Sequence, residues 1–237
     1  MIPKTLLNPE YQPDTPWQSF TMRETFPVKV TGNQAIAPNA RLLTLPRVFD
    51  FVAGQVIGIT LHKPEVPRLY SIASGIHDDE IAILYTRKEN GLLTPPLSIC
   101  RKGDTIFITK PFGNFICKEQ EAVWVATGTG IAPFASMFFS GQHEGKTLIQ
   151  GARTAESMYF FRYFKEKMGK RYQPCCSREN AEGCFPGRVT DFLQAQTHIK
   201  TDIPYYLCGI AEMVVDVRDI LIAKGVPYAK INSEIFF

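Results

Sequence analysis

The apolar positions fall into two regimes along the chain. From Phe26 they recur in short runs with a two-residue period: Phe26, Val28 and Val30, then Arg41 to Leu45, Gly54 to Leu61, Arg68 to Ser74, Ile81 to Arg87 and Asp104 to Lys110. Side chains alternate faces along a strand, so such runs bury one side and wet the other. Turn pairs such as Ala53-Gly54 and Gly103-Asp104 punctuate them. Six short strands at this spacing predict an antiparallel barrel or sandwich.

Near Phe115 the pattern changes. Val123 to Ala126 is a continuous apolar run, followed by a glycine-rich turn and an apolar helix start at Ala135 to Phe139. Strands are then predicted at Thr147 to Gln150, Tyr172 to Ser177, Tyr205 to Cys208 and Ala229 to Phe236. Helices are predicted at Ala155 to Met168, Val189 to Gln196 and Ala211 to Lys224, the last stopped by Gly225. Alternation of this kind predicts a parallel sheet covered by helices. The expected organisation is an arm over residues 1–24, a β domain over 25–117 and an α/β domain over 118–237. The arm is rich in proline and aperiodic, with Trp17 and Phe20 expected to tuck onto the body.

Composition narrows the classes. The 237 residues are 45% hydrophobic and 21% charged, enough to bury a core without staples. A formal net charge of +3 is too small to argue for nucleic acid. No apolar run approaches the roughly 20 residues that span a bilayer. Met1-Ile2-Pro3-Lys4 opens no signal pattern, so the expected setting is cytoplasmic. The six cysteines (Cys100, Cys117, Cys175, Cys176, Cys184 and Cys208) form no C-x-x-C pair, and the four histidines are scattered. Free thiols and no metal site are expected.

Five stretches carry candidate chemistry. Arg68-Leu69-Tyr70-Ser71-Ile72-Ala73-Ser74 puts a cation, an aromatic ring and two hydroxyls within seven residues. A guanidinium clamps phosphate, and a tyrosine covers a flat ring while keeping its hydroxyl wet. The competing reading is a barrel strand with an exposed Arg and a half-buried Tyr. Gly91-Leu92-Leu93-Thr94 offers close backbone approach and a hydroxyl ahead of a short helix, or is an ordinary loop. Thr127-Gly128-Thr129-Gly130-Ile131-Ala132-Pro133 joins a strand to a helix, the arrangement that cradles phosphates in nucleotide folds. It is not the G-x-G-x-x-G fingerprint, because Pro133 stands where the third glycine would be. Cys208-Gly209 ends a predicted strand, with Met213 four residues past Gly209, and Glu234-Ile235-Phe236 lies one residue from the C-terminal Phe237.

Together, and in this order, these residues resemble the ferredoxin–NADP reductase family over residues 26–237. The resemblance implies a six-stranded antiparallel barrel holding FAD, followed by a Rossmann-like nucleotide domain. It implies that Arg68 holds the flavin phosphate, Tyr70 packs on the ring and Ser71 lies near the reactive N5. Leu69, Tyr85, Thr86, Gly91, Leu92, Leu93, Thr94, Thr129 and Phe236 complete the implied flavin set. Thr127, Gly128, Thr129, Gly130, Ile131, Pro133, Cys208, Gly209 and Met213 are the implied nicotinamide-nucleotide set. Ser177, Arg178 and Arg188 resemble the residues that receive the 2′-phosphate of NADP(H), so NADP(H) is expected over NAD(H). Ser71, Cys208, Glu234 and Phe236 are the implied catalytic group, with Phe236 as a gate against the flavin ring.

The implied reaction moves a hydride between NADP(H) and FAD, and single electrons between FAD and a separate carrier, ferredoxin or flavodoxin. FMN is the alternative flavin, since Arg68 would hold either phosphate. The chain carries no cysteine cluster for a fused iron–sulfur domain and no room for a heme or flavodoxin segment, so a separate partner and a monomer are expected. Two other readings stay open: an NADH-using oxygenase reductase or flavin reductase, and a non-catalytic flavin- or nucleotide-binding regulatory module. For single residues, Cys208 also reads as a small buried hydrophobe, Glu234, Arg178 and Arg188 as surface charges, and Phe236 as core.

Overall fold

The computed structural model describes residues 23–236, with side chains described as far as Ile235. The arm up to residue 22, with Trp17 and Phe20, the side chain of Phe236 and all of Phe237 lie outside the described residues.

The first half is antiparallel. Strands β1 (Thr25–Lys29), β2 (Gly32–Ala37), β3 (Ala40–Pro46), β4 (Val56–Thr60), β5 (Arg68–Ser71) and β6 (Glu80–Thr86) are followed by helix α1 (Thr94–Ile99) and strand β7 (Thr105–Thr109). They form a sheet of order β1-β7-β4-β5 and a sheet of order β2-β3-β6. Both sheets contribute to one apolar core: Val28, Ile57, Ile59, Ile106 and Ile108 meet Leu43, Leu45, Ile81, Ile83 and Tyr85. The six predicted strands are present. A seventh, β2, is added because Gly32–Ala37 is a mostly exposed edge with no apolar alternation to announce it.

The heptapeptide closes the barrel. Its first four residues are β5, with Arg68 opposite Ile59 and Ser71 opposite Val56. The chain then crosses to the other sheet, where Ile72 bridges Ile83 and the Ala73 amide donates to the Ala82 carbonyl at 2.7 Å. Extension through Ser74 is therefore divided between two sheets.

The second half is a parallel sheet. Strand β8 (Ala122–Thr127) leads through a 3-10 turn at Gly128–Ile131 into α2 (Ala132–Phe139). Next come β9 (Lys146–Ala152), α3 (Phe161–Met168), β10 (Tyr172–Cys176), β11 (Phe185–Pro186), α4 (Val189–Ala195), β12 (Tyr205–Ile210), α5 (Ala211–Ala223) and β13 (Ile231–Phe236). The strand order is β11-β10-β9-β8-β12-β13, with every pair parallel. Strand β8 and helix α2 are buried along nearly their whole length, which explains their unbroken apolar sequences.

One predicted helix is shorter than expected. Ala155–Ser157 is a separate 3-10 turn, and the helix starts only at Phe161. Phe160 takes a left-handed φ of 61°, which a bulky residue adopts only under tertiary constraint. Its ring packs edge-on against Phe139 and Phe164, so aromatic packing overrides local helical periodicity. The two-residue β11 is too short to leave a periodic signal. All six cysteines are free thiols. Among the described residues, no helix is long and apolar enough to cross a membrane.

Candidate active site at the sheet switch point

The chain moves outward from β8 to β9, β10 and β11, then returns to β12 on the other flank of β8. The order therefore reverses between β8 and β12. In open α/β sheets the crevice beyond the carboxyl ends at this point is where ligands sit. Two sequence motifs converge there. The turn after β8 is Gly128–Ile131, and the end of β12 is Cys208-Gly209.

Glycine is required twice in that turn. Gly128 has a φ of +56°, the left-handed region. Gly130 packs on the end of β12: a Cβ there would lie 2.3 Å from the Cys208 carbonyl oxygen. Gly209 likewise lies against the Thr127 hydroxyl and the Met213 methyl, and a Cβ on it would come within 2.4 Å and 2.7 Å of them. The Thr127 hydroxyl is buried and makes no hydrogen bond in the described structure. A buried orphan hydroxyl beside two glycine-lined backbones fits a ligand that approaches the main chain closely and brings its own polar atoms.

Next to this crevice the two halves meet. Parallel pairing of β12 with β13 sets Cys208 opposite Glu234. From the barrel side, the buried Ser71 hydroxyl donates to Glu234 Oε2 at 3.4 Å. Burial pushes the Glu234 carboxyl up to about 7, and the Ser71 hydroxyl partly offsets this. The fully buried Cys208 thiol is pushed well above its ordinary range, first by burial and then by the Glu234 charge. It is thus held as a thiol, not as a thiolate nucleophile.

Further along β5, Tyr70 is half-buried and its ring stands edge-on to Tyr85, 6.4 Å between centroids. Its phenol is pushed up to about 12, chiefly by burial, with Tyr85 adding to the shift and Arg68 opposing it. Tyr85 is itself buried, and its hydroxyl donates to Asn33 Oδ1 at 3.0 Å. Arg68 is exposed and lines an open cleft of about 460 Å³ with His62, Val66, Leu92 and Leu93. That cleft brings the heptapeptide and the Gly91–Thr94 loop to one place. Thr94 has a second duty: its hydroxyl accepts a bond from the Lys88 amide at 2.9 Å and fixes that loop.

The match to known proteins is consistent with this geometry. Residues 124–219 match the family described as the oxidoreductase NAD-binding domain. The toluate 1,2-dioxygenase electron transfer component of Pseudomonas putida is 26% identical over 78% of this chain and 59% of its own length. Ferredoxin–NADP reductase A of Sorangium cellulosum is 26% identical over 75% of this chain and 74% of its own. The crystal structure of a ferredoxin NADP+ reductase from Neisseria gonorrhoeae with bound FAD and NADP superposes with a TM-score of 0.81 at 20% identity, covering 90% of this chain and 99% of that one. The chain is thus similar in sequence to ferredoxin–NADP reductases and to oxygenase reductase components, and shares their fold. It spans 59% of the toluate relative and 62% of the reductase component of propane 2-monooxygenase from Mycolicibacterium goodii.

Within this fold, the third predicted cluster lies on the other flank of the switch point. Ser177 and Arg178 follow β10, and the Arg178 amide donates to the Arg153 carbonyl at 2.9 Å. Arg188 sits at the start of α4, its amide bonded to Asp191 Oδ2 at 2.7 Å, while the Gly187 amide returns to the Cys176 carbonyl at the end of β10. Arg153, Arg178 and Arg188 are all exposed there. Sequence reasoning missed Arg153, which only the pairing of β9 with β10 brings beside Arg178. The signal available was its place just past the end of a strand. The carboxylate of Glu179 accepts from the Ala155 amide and ties the two strand-end loops together.

Proposed function

We propose that the chain is a flavin-dependent oxidoreductase that takes reducing equivalents from NADPH and delivers single electrons to a separate carrier protein. The observation that carries this reading is the meeting of Ser71, Cys208 and Glu234 where the barrel faces the switch point of the parallel sheet. A sensor or regulatory module needs a nucleotide site but has no need of a buried carboxyl and hydroxyl between two cofactor clefts.

The proposed assignments follow the surroundings. Arg68, with Leu69 and the Gly91–Thr94 loop, would hold the flavin phosphates, and the cleft beyond Arg68 favours FAD over FMN. Tyr70 would cover the ring, with Tyr85 supporting it from the core and Thr86 at the end of β6. The loop Thr127–Pro133 would cradle the nucleotide, Cys208, Gly209 and Met213 would border the nicotinamide, and Phe236 would gate it. Arg153, Arg178, Arg188 and Ser177 would receive a 2′-phosphate.

A bound flavin supplies the hydride-accepting ring and the ability to release electrons one at a time. The chain's own contribution is alignment and proton control. The Ser71 hydroxyl, which donates to Glu234 here, would turn to hydrogen-bond a ring nitrogen of the flavin. Glu234 changes protonation near neutral pH and so can hold a proton beside Ser71. The close backbone approach at Gly130 and Gly209 would form a tightly packed floor beneath the nucleotide.

A ferredoxin or flavodoxin as acceptor, a monomeric state, a cytoplasmic setting and a domain division near residue 117 complete the proposal. A second reading, an NADH-using reductase of an oxygenase, is favoured by the similarity to oxygenase reductase components. One experiment separates these readings. The purified protein should be yellow, release FAD on denaturation, and bleach anaerobically on adding NADPH faster than on adding NADH. A colourless protein that binds nucleotide without redox change would support the regulatory module. Faster bleaching with NADH would support the oxygenase-type reading.

A further inference from the structure

We infer that Ser136 on α2 and Ser140 at its C-terminal cap form a polar latch that sets the distance and register between the nucleotide loop and the flavin strand. Ser136 is a positioning residue for hydride transfer in this reading, and the inference rests on the function proposed above.

The inference starts from a contrast in the interface. Most of what joins the halves is apolar: Ala53, Ala73 and Leu84 of the barrel pack in one cluster with Phe134, Met137 and Trp124. Apolar contact is non-directional, so it holds two bodies together without fixing how they slide. Hydrogen bonds have narrow distance and angle limits, so a pair of them fixes register.

Such a pair is present. The Ser136 side chain is fully buried, and its hydroxyl donates to the Ser74 carbonyl at 2.7 Å. One turn later the Ser140 hydroxyl donates back to the Ser136 carbonyl at 2.7 Å and accepts from the Ile76 amide at 3.0 Å. Ser74 is the last residue of the heptapeptide, and its own hydroxyl accepts from the Ala82 amide on β6 at 3.0 Å. Between the two bonds Gly75 lies against α2, where a Cβ would stand 2.7 Å from the Phe139 carbonyl oxygen. The approach is so close that it admits no side chain.

The position of α2 makes this more than an interface detail. Its first residue follows directly on the turn Gly128–Ile131. The helix is therefore a strut of about two turns. One end is the turn proposed to hold the nucleotide, and its far side is bonded to the segment that continues from Tyr70 and Ser71. A shift of this strut moves the two reacting groups relative to one another. Misplacement of reacting groups by about 1 Å costs on the order of a hundredfold in rate.

The test uses the full chain with its flavin and three variants, Ser136→Ala, Ser140→Ala and Gly75→Ala. Ser136→Ala removes one bond and Ser140→Ala removes two, both with little change of volume, and they remain informative if Gly75→Ala fails to fold. Anaerobic stopped-flow reduction by NADPH and by NADH should slow about tenfold in Ser136→Ala, with flavin content and nucleotide dissociation constants within about twofold of the parent. The long-wavelength charge-transfer absorbance of the flavin–nucleotide complex should weaken in parallel. A second readout needs no turnover: hydrogen exchange at the Ile76 amide should accelerate in both serine variants. Variants that lower the melting temperature yet are reduced as fast as the parent, with unchanged charge-transfer absorbance, overturn the latch alone. A parent that binds no flavin, or whose flavin neither nucleotide reduces, overturns the function and the latch with it.

Discussion

Glu234 shows how a single residue can be held at a cost to the fold. Its carboxyl is drawn into the seam between the halves and titrates near 7, against an ordinary value of 4.5. Between these two values the folded chain keeps a proton that the unfolded chain has lost, so stability falls as pH rises through that window. The loss is at most about 3.5 kcal/mol, since each tenfold change in proton affinity is worth about 1.4 kcal/mol. Glutamine is neutral at every pH and keeps the shape. Glu234→Gln should therefore flatten the dependence of melting temperature on pH between about 5 and 7, and leave the variant more stable than the parent above pH 7. Parallel profiles for parent and variant would mean that the carboxyl is not buried as described. Ser71 is the neighbour that moderates the effect, so Ser71→Ala should move the Glu234 titration further upward.

At the scale of elements, the proposed nucleotide preference rests on the strand ends. The backbone bond from Arg178 to Arg153 and the return of Gly187 to Cys176 gather three guanidinium-bearing positions beyond β9 and β10. Removing one cation from a phosphate contact costs roughly 1.5–3 kcal/mol, about ten- to a hundredfold in affinity. Arg153→Ala and Arg178→Ala should each lower kcat/KM for NADPH by that factor while leaving NADH within about twofold. The NADPH-to-NADH ratio of kcat/KM is the measurement, and a parent that already favours NADH would end the prediction. The elements themselves were largely legible, because β8, β4 and α2 carry unbroken or alternating apolar runs that follow from their burial. What escaped had weak local signals. The polar edge β2 buries too little to be patterned, and the break at Phe160 is imposed by Phe139 and Phe164 from elsewhere in the fold. The same holds in the site. The glycine turn was readable as candidate chemistry from its strand and proline, and the heptapeptide only through its order in the chain. The contact of Ser71 with Glu234 joins residues 163 apart, and the pairing of Arg153 with Arg178 depends on strand order, which no local pattern records.

For the whole molecule, the distribution of the core bears on how the chain unfolds. The antiparallel half has a core of its own, from Val28 to Ile108, and the α5 side of the parallel sheet has another. The largest cluster belongs to neither half. It runs from Ala40, Ala73 and Leu84 through Phe134 and Met137 to Trp124, Phe164 and Tyr172. Trp124 stacks on Phe134 at 5.5 Å, and Phe115, from the segment linking the halves, meets both Phe134 and Tyr206 edge-on. A core shared this way cannot be lost from one half without exposing the other, so the two halves should unfold as one cooperative unit. Calorimetry of the parent should give a single transition whose calorimetric and van't Hoff enthalpies agree. Met137, fully buried on α2, is the place to weaken the coupling. Met137→Ala should cost about 2–5 kcal/mol. It should lower the midpoint reported by Trp124 fluorescence and that reported by flavin release from the barrel together. Two separated transitions in the parent, or a Met137→Ala variant in which only the fluorescence midpoint moves, would show that the halves are independently stable and that the shared cluster does not couple them.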